Sequence, residues 1–254
     1  MAKNQKVTLT LREFDPEKKC FEKKQYSLVV SNLTTVLDAL LVIKESVDPK
    51  VSFRYSCRMG ICGSCGMVIN GKPSLACETN LVALSEKQKK VVVEPIQGQP
   101  ILRGLVSDFD DFFEKHKSVT PWLIRRKPEE RFSLGKEFHQ TEAQRVEFLP
   151  FAECIKCGLC VDACPVSNTN KEFKGPQALA QAYRYYADNK DQGAEERLKQ
   201  LDTVAAVWGC EFSGSCSRVC PKNVDPALAI QLLKGEVAKY RLTGMAKKHE
   251  EERI

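Results

Sequence analysis

The sequence predicts an α+β protein in two halves, a small β-grasp sheet followed by a helical bundle, and three observations lead there. Short runs between residues 7 and 94 alternate apolar and polar side chains with period two, the mark of half-buried strands. Beyond residue 104 the apolar spacing lengthens to that of helices, and Pro176 and Pro226 stand where prolines begin them. Of the 12 cysteines, all but Cys20 fall in tight groups, so each half carries a concentration of thiols.

The elements follow in order. "KVTLTLREF" puts Val7, Leu9 and Leu11 on one face and Thr8, Thr10 and Arg12 on the other. "DPEKK" turns the chain and "QYSLVV" returns beside it as a hairpin partner. In "TTVLDALLVIKES", Thr35 with Asp38 three residues on forms a capping box, and Val36, Leu37, Leu40 and Leu41 give the helix one apolar face. "MVINGKPSL" is a second hairpin, turning on Asn70-Gly71, and "KKVVVEPI" closes the sheet. "EPIQGQPILRG" (94–104), rich in proline and glycine, reads as a linker and divides the chain into domains 1–103 and 104–254. The helices of the second domain are "GLVSDFDDFFEKH", "GPQALAQAYRYYADN" and "DPALAIQLLKGEVAKY".

Composition narrows the function classes. A chain of 254 residues can bury two modest cores. "MAKNQKVTLT" carries no secretory signal, and the densest apolar run, 36–43, is broken by Asp38, so no membrane span is expected. Clustered cysteines in such a chain point to metal rather than disulfides. The net charge is +6, yet Lys and Arg are scattered, without a basic helix or an aromatic platform, which argues against nucleic acid. Three thiolate-bound iron–sulfur clusters of about −2 each would balance that excess. Cys20 reads as an inert hairpin thiol. The histidines and the terminal run "KKHEEERI" read as solvated surface, and Trp122 and Trp208 as core or interface.

"CRMGICGSCG" followed by Cys77 has the spacing C-x4-C-x2-C with a fourth cysteine beyond, the plant-type ferredoxin pattern for a 2Fe–2S centre. Cys57, Cys62 and Cys65 lie on one loop, and Cys77 comes from the far arm of the hairpin. Gly60, Gly63 and Gly66 let the backbone turn tightly and aim N–H groups at sulfur. No histidine is near in sequence, which excludes a Rieske site. A four-cysteine zinc site is the alternative, but zinc knuckles use two C-x2-C pairs and this loop has one.

The helical half holds a repeat. "CIKCGLCVDACP" is C-x2-C-x2-C-x3-C-P, the bacterial ferredoxin run, and "CEFSGSCSRVCP" repeats it with Ser213 where Cys157 stands. In two-cluster ferredoxins three cysteines of a run hold one cluster and the fourth reaches to the other. By that rule Cys154, Cys157 and Cys160 take a 4Fe–4S cluster with Cys220, and Cys164 joins Cys210 and Cys216. Three thiolates can hold a 3Fe–4S core, whose all-ferric oxidised state accepts an electron readily. A serine alkoxide can also ligate iron, which leaves a four-iron centre as the alternative.

The stretches "YSCRMGICGSCGMVING", "CIKCGLCVDACP", "GPQALAQAYRY" and "CEFSGSCSRVCPKNVDPALAIQ" together resemble the iron–sulfur subunit of succinate dehydrogenase and quinol:fumarate reductase over essentially the whole chain. The "VDPALAIQ" tail looks nearer to the fumarate reductases. The resemblance implies an electron-transfer subunit with no substrate site of its own. It would sit between an FAD-containing flavoprotein and a membrane anchor that handles quinone, peripheral to the cytoplasmic face of the membrane. By position, Phe212, Gln231 and Lys234 match residues that approach the quinone in some fumarate reductases. Glu211 departs from the small or imidazole side chain found there in relatives. "PVSNTN" after Cys164 lacks the tryptophans of ubiquinone-linked enzymes, which favours menaquinone, or places haem b beside the three-iron centre. The rival reading is a free-standing polyferredoxin carrier, which would not need so many large apolar side chains away from the cysteine loops.

Overall fold

The computed structural model describes residues 4–88, 90–126 and 138–246. His249 and the terminal run "KKHEEERI" lie outside the described residues. The chain forms two compact units that do not follow chain order. The first comprises the residues up to Asp111 together with Ile155–Ala163, and the second comprises Phe112–Cys154 with the chain from Cys164 onward.

In the first unit β1 (Asn4–Asp15) and β2 (Cys20–Ser31) pair antiparallel along their whole length. The turn between them is held by the Asp15 carboxylate, which accepts the N–H groups of Glu17 at 2.9 Å and Lys18 at 3.2 Å. Helix α1 (Val36–Ser46) starts on the expected capping box: Thr35 Oγ1 accepts from Asp38 N, and the Asp38 carboxylate accepts from Thr35 N. Its Leu37, Leu40 and Ile43 are buried, as are Leu9, Leu11, Val91 and Val93 of the sheet. Strands β3 (Gly66–Ile69) and β4 (Lys72–Leu75) form the short hairpin. Asn70 and Gly71 both have positive φ, +49° and +74°, as the tight turn requires. A short helix α2 (Leu81–Gln88) precedes β5 (Val91–Glu94).

The sheet order is β2-β1-β5-β3-β4. Thus the run expected to close the sheet is its centre: β5 lies parallel to β1 and antiparallel to β3, joining the two hairpins. The Asn70 side chain ties the turn to it, accepting the Val92 N–H at 2.7 Å.

The stretch 94–104 is not a bare linker. It contains β6 (Ile101–Arg103), which pairs with β7 (Val106–Ser107), and Gly104 exchanges both backbone hydrogen bonds with Phe14 at 2.8 and 3.0 Å. Ile96 is only 2% exposed. Proline and glycine made the stretch look loose, but its backbone polar groups find fixed partners. The helix expected from residue 104 begins only at Asp110, as α3 (Asp110–Lys117).

The second unit is helical: α4 (Glu142–Ala152), α6 (Pro165–Thr169), α7 (Pro176–Ala187), α8 (Ala194–Leu201), α9 (Ser215–Arg218) and α10 (Pro226–Thr243). The intervening α5 (Leu159–Asp162) belongs to the first unit. Pro176 and Pro226 open their helices, and the Asp225 carboxylate caps α10 through the Leu228 N–H. Phe173, Leu179, Tyr186, Leu198, Ile230, Leu233 and Val237 fill the core. Arg197, 1% exposed, ion-pairs with Asp191 at 2.9 Å and donates to the carbonyls of Val119, Thr120 and Trp122, so its buried charge is fully matched. Among the described residues no helix is long and apolar enough to cross a membrane.

Candidate metal centres

The first cysteine group is assembled by the short hairpin. Cys65 leads into β3 and Cys77 follows β4, and Ala76 N donates to Cys65 O at 3.1 Å, fastening the two arms together. The loop before Cys65 folds back so that its amides meet sulfur. Met59 N, Ile61 N and Cys62 N lie 3.5, 3.3 and 3.2 Å from Cys57 Sγ, Cys57 N lies 3.4 Å from Cys62 Sγ, and Gly60 N lies 3.3 Å from Cys77 Sγ. Turning so many amides one way needs left-handed backbone, and Arg58, Gly60 and Gly63 supply it with φ of +61°, +70° and +75°. At Gly60 a Cβ would meet the end of the Glu78 side chain, which would have to move aside, and the positive φ there strains any other residue. Met59, Ile61 and Tyr55 stay exposed around the loop.

Burial acts to raise the Cys62 thiol, but the Ser64 hydroxyl, the Cys57 and Ser64 amides and the Cys57 side chain together outweigh it. They draw Cys62 down to about 6. Cys65 goes the other way, pushed up to about 12 by burial, with the neighbouring Cys77 and Cys62 thiols adding to the rise. None of the twelve cysteines is in a disulfide. Among the described residues no three His, Cys, Asp or Glu side chains are gathered as for a single metal ion. A polynuclear core is larger, and its ligands ring it in pairs. Four thiols, amides directed at sulfur and glycines that let the loop turn tightly fit a 2Fe–2S core.

The second group falls in both units. Cys157 and Cys160 belong to the first, in a segment held there by the Asp162 carboxylate, which accepts the N–H groups of Gln97 at 2.7 Å and Gly98 at 2.9 Å. Burial raises that carboxyl above its usual range against the pull of those two amides. Gly158 takes the left-handed conformation at the start of α5. Cys154 and Cys220 belong to the second unit and pack on its small cluster of Phe151, Ala180, Val224 and Ala229.

The third group lies wholly within the second unit. Cys164 is buried in its main core and Cys210 packs against it, while Cys216 is buried on α9. Burial, with the Cys164 and Cys210 thiols adding, pushes Cys216 up to about 11. Ser213 is exposed, and its hydroxyl donates to Ser215 Oγ at 3.5 Å. The structure brings Lys234 and Gln231 of α10 to this group: Lys234 Nζ donates to Cys210 O at 2.7 Å, and Gln231 Nε2 lies 4.0 Å from Cys210 Sγ. Phe212 is 59% exposed and has φ of +56°, with Leu228 and Leu232 also exposed on α10. Cys20 is exposed at the start of β2. Sequence reasoning passed over Asp162 and Arg197, for neither sits in a motif, and only long-range packing gives them their roles.

Comparison with known proteins agrees with this chemistry. Residues 8–114 match a family model described as a 2Fe-2S iron-sulfur cluster binding domain, and residues 150–224 match a 4Fe-4S dicluster domain. The fumarate reductase iron-sulfur subunit of Haemophilus influenzae is 42% identical over 87% of this chain and 89% of that subunit. The subunit of the same name from Mycobacterium tuberculosis is 45% identical over 85% of this chain and 86% of its own length. The succinate dehydrogenase [ubiquinone] iron-sulfur subunit 1 of Oryza sativa is 36% identical over 89% of this chain and 80% of that protein. A chain of the Mycobacterium smegmatis Sdh1 complex in the apo form shares the fold, with a TM-score of 0.82 over 96% of this chain and all of that one, at 24% identity. By its motifs, its fold and its identity to these relatives, the chain belongs to the family of fumarate reductase and succinate dehydrogenase iron–sulfur subunits.

Proposed function

We propose that this chain is the electron-transfer subunit of a membrane-associated quinol:fumarate reductase or succinate dehydrogenase. It joins an FAD-containing flavoprotein to a membrane anchor and has no substrate site of its own. The observation that carries the reading is the run of cysteine groups in sets of four, four and three, within a chain 42% identical to a fumarate reductase subunit across nearly its whole length.

In this reading Cys57, Cys62, Cys65 and Cys77 in domain 1–103 hold a 2Fe–2S cluster. In domain 104–254, Cys154, Cys157, Cys160 and Cys220 hold a 4Fe–4S cluster, and Cys164, Cys210 and Cys216 a 3Fe–4S cluster. When bound, the clusters supply one-electron acceptor and donor capacity between a two-electron flavin and a two-electron quinone. The protein's own residues set the terms. Amides at Gly60, Ile61 and Cys62 stabilise negative charge on the first set of sulfurs, and the apolar core around Cys164, with Cys210 packed against it, keeps water from the third. The exposed Tyr55, Met59 and Ile61 suit the flavoprotein side. Phe212, Gln231 and Lys234, gathered about Cys210 or exposed beside it, suit the face toward quinone, menaquinone in preference, or toward haem b at the cytoplasmic side of the membrane.

The test is iron and sulfide analysis with EPR on the chain purified in its native complex. The expected result is about nine irons per chain in three distinguishable centres, recovered with a flavin-containing partner. Zinc in place of iron, or a chain that runs alone in size exclusion, overturns the reading.

A further inference from the structure

The second cysteine run does not stand apart from the first cysteine loop. Within the first unit, a Cβ placed on Gly63 would lie 2.8 Å from Cys157 Cβ, 3.0 Å from Cys157 Cα and 3.1 Å from Ile155 O. One on Gly66 would lie 3.1 Å from Cys157 O and 3.3 Å from the Leu159 side chain. The backbone between Cys62 and β3 therefore touches the backbone of Cys157 with only hydrogen atoms between them. From the other side of the contact, Gly158 presses on Phe109, where a Cβ would come within 2.8 Å of the ring. The Asp162 carboxylate pins the same segment through the amides of Gln97 and Gly98. Each feature serves one end: residues 155–163 lie flush on the loop that carries Cys57, Cys62 and Cys65.

Resting on the functional reading above, we infer that Gly63, Gly66 and Asp162 are positioning residues that fix the separation of the first two iron–sulfur centres. The glycines allow the approach, and Asp162 holds the Cys157 segment in it. Tunnelling between redox centres decays steeply with the gap between them, so a shift too small to disturb either ligand set still slows exchange between the two. The two glycine loops offer a matched comparison. Gly63 and Gly71 have almost the same backbone angle, φ of +75° and +74°, but a Cβ on Gly71 meets nothing within 4 Å. Alanine strains both backbones alike, and only at Gly63 does it push on Cys157.

The experiment uses the native complex carrying Gly63→Ala, Gly71→Ala or Asp162→Asn. Three readouts are taken: the magnetic interaction between the reduced first and second centres by EPR relaxation, the rate of electron exchange between them after rapid reduction, and iron content. For Gly63→Ala the expected result is several-fold slower exchange and weakened magnetic interaction at unchanged iron content, with Gly71→Ala at the wild-type level. Asp162→Asn shifts the same two readouts in the same direction, and amide exchange at Gln97 and Gly98 rises. Wild-type interaction and exchange rate in both Gly63→Ala and Asp162→Asn overturns the inference. So does equal impairment in Gly63→Ala and Gly71→Ala. If Gly63→Ala loses its iron, Asp162→Asn alone decides, and an unchanged interaction there overturns it. A wild-type complex lacking the two centres fails the functional reading instead, so the two failures are separable.

Discussion

The first cysteine loop and the three-thiol group of the second unit surround sulfur by opposite means. In the loop, backbone amides reach Cys57, Cys62 and Cys77, and apolar side chains such as Met59 and Ile61 are left outside in solvent. In the second unit, Cys164 sinks into a core of Phe173, Val207 and Ile230, Cys216 is buried on α9, and the polar contacts to sulfur include the amide of Ser217 and its hydroxyl, 4.0 Å from Cys216, and the Gln231 amide 4.0 Å from Cys210. The thiols follow their local surroundings: Cys62, served by amides and the Ser64 hydroxyl, is drawn down to about 6, while the buried Cys65 of the same set is pushed up to about 12 and Cys216 to about 11. Two routes thus exist for handling charge on a metal-bound sulfur. One spends backbone conformation on amide donors, and the other excludes water and relies on the ligand count to set the charge.

The comparison breaks most visibly if the two regions are not independent. Cys65→Ala removes a buried member of the first set. Iron is expected to fall from about nine to about seven per chain, with loss of one EPR signal and retention of the others. Disappearance of every signal would mean that the regions form one cooperative site. The next effect is confined to the second unit. Ser213→Cys completes the repeat of the second run, so iron should rise to about ten and the signal of an oxidised three-iron centre should vanish. An unchanged iron content and signal would show that position 213 does not set the ligand count.

How far this could be read from the sequence depended on the range of the interactions involved. The Asn70-Gly71 turn, the Thr35–Asp38 capping box and the prolines opening α7 and α10 are encoded within a few residues, and the structure shows them where they were expected. The central position of β5 was not legible, because its pairing with β1 joins residues some eighty positions apart: Leu9 lies opposite Val91. The stretch 94–104 misled for a related reason. Its partners, Phe14 for Gly104 and Asp162 for Gln97 and Gly98, are distant in the chain, and composition carries no trace of them. Arg197 sits in "AEERLKQL", which reads as a surface helix, and is buried only because three carbonyls of residues 119–122 converge on it. The cysteine spacings stand in the sequence itself, because a cluster motif is a spacing of residues. The amides that serve those sulfurs depend on positive φ at Arg58 as well as at the glycines, and nothing in an arginine announces that.

A finer measurement separates the amide route from the apolar one. Gly60 donates its N–H to Cys77 Sγ at 3.3 Å and has φ of +70°, and a Cβ there would strike the Glu78 carboxylate. Gly60→Ala should turn that amide away from sulfur. The reduced cluster carries the greater negative charge, so losing a donor costs the reduced form more and the potential falls. A charge-assisted hydrogen bond of roughly 1.5 kcal/mol corresponds to about 60 mV for one electron. Redox titration of the first centre reads the shift, with Gly71→Ala as the control for backbone strain. A potential that rises or stays put would show that the amides shape the loop without tuning it.

The smallest effect belongs to Gln231, whose amide reaches Cys210 across 4.0 Å from α10. At that distance the N–H is a weak donor, and Gln231→Leu removes it while keeping the apolar bulk against the core. The third centre should fall in potential by about 20 mV, the equivalent of roughly 0.5 kcal/mol, a third of the shift at Gly60. The same variant separates tuning of the centre from contact with quinone. Loss of a tuning group alone moves the potential and leaves KM for quinol unchanged, whereas loss of a quinone contact raises KM. A potential shift as large as that of Gly60→Ala would erase the distinction between the regions. It would mean that a single side-chain amide in an apolar wall does as much as an amide from the loop, because the low dielectric of the core around Cys164 and Cys210 magnifies what little polarity reaches them.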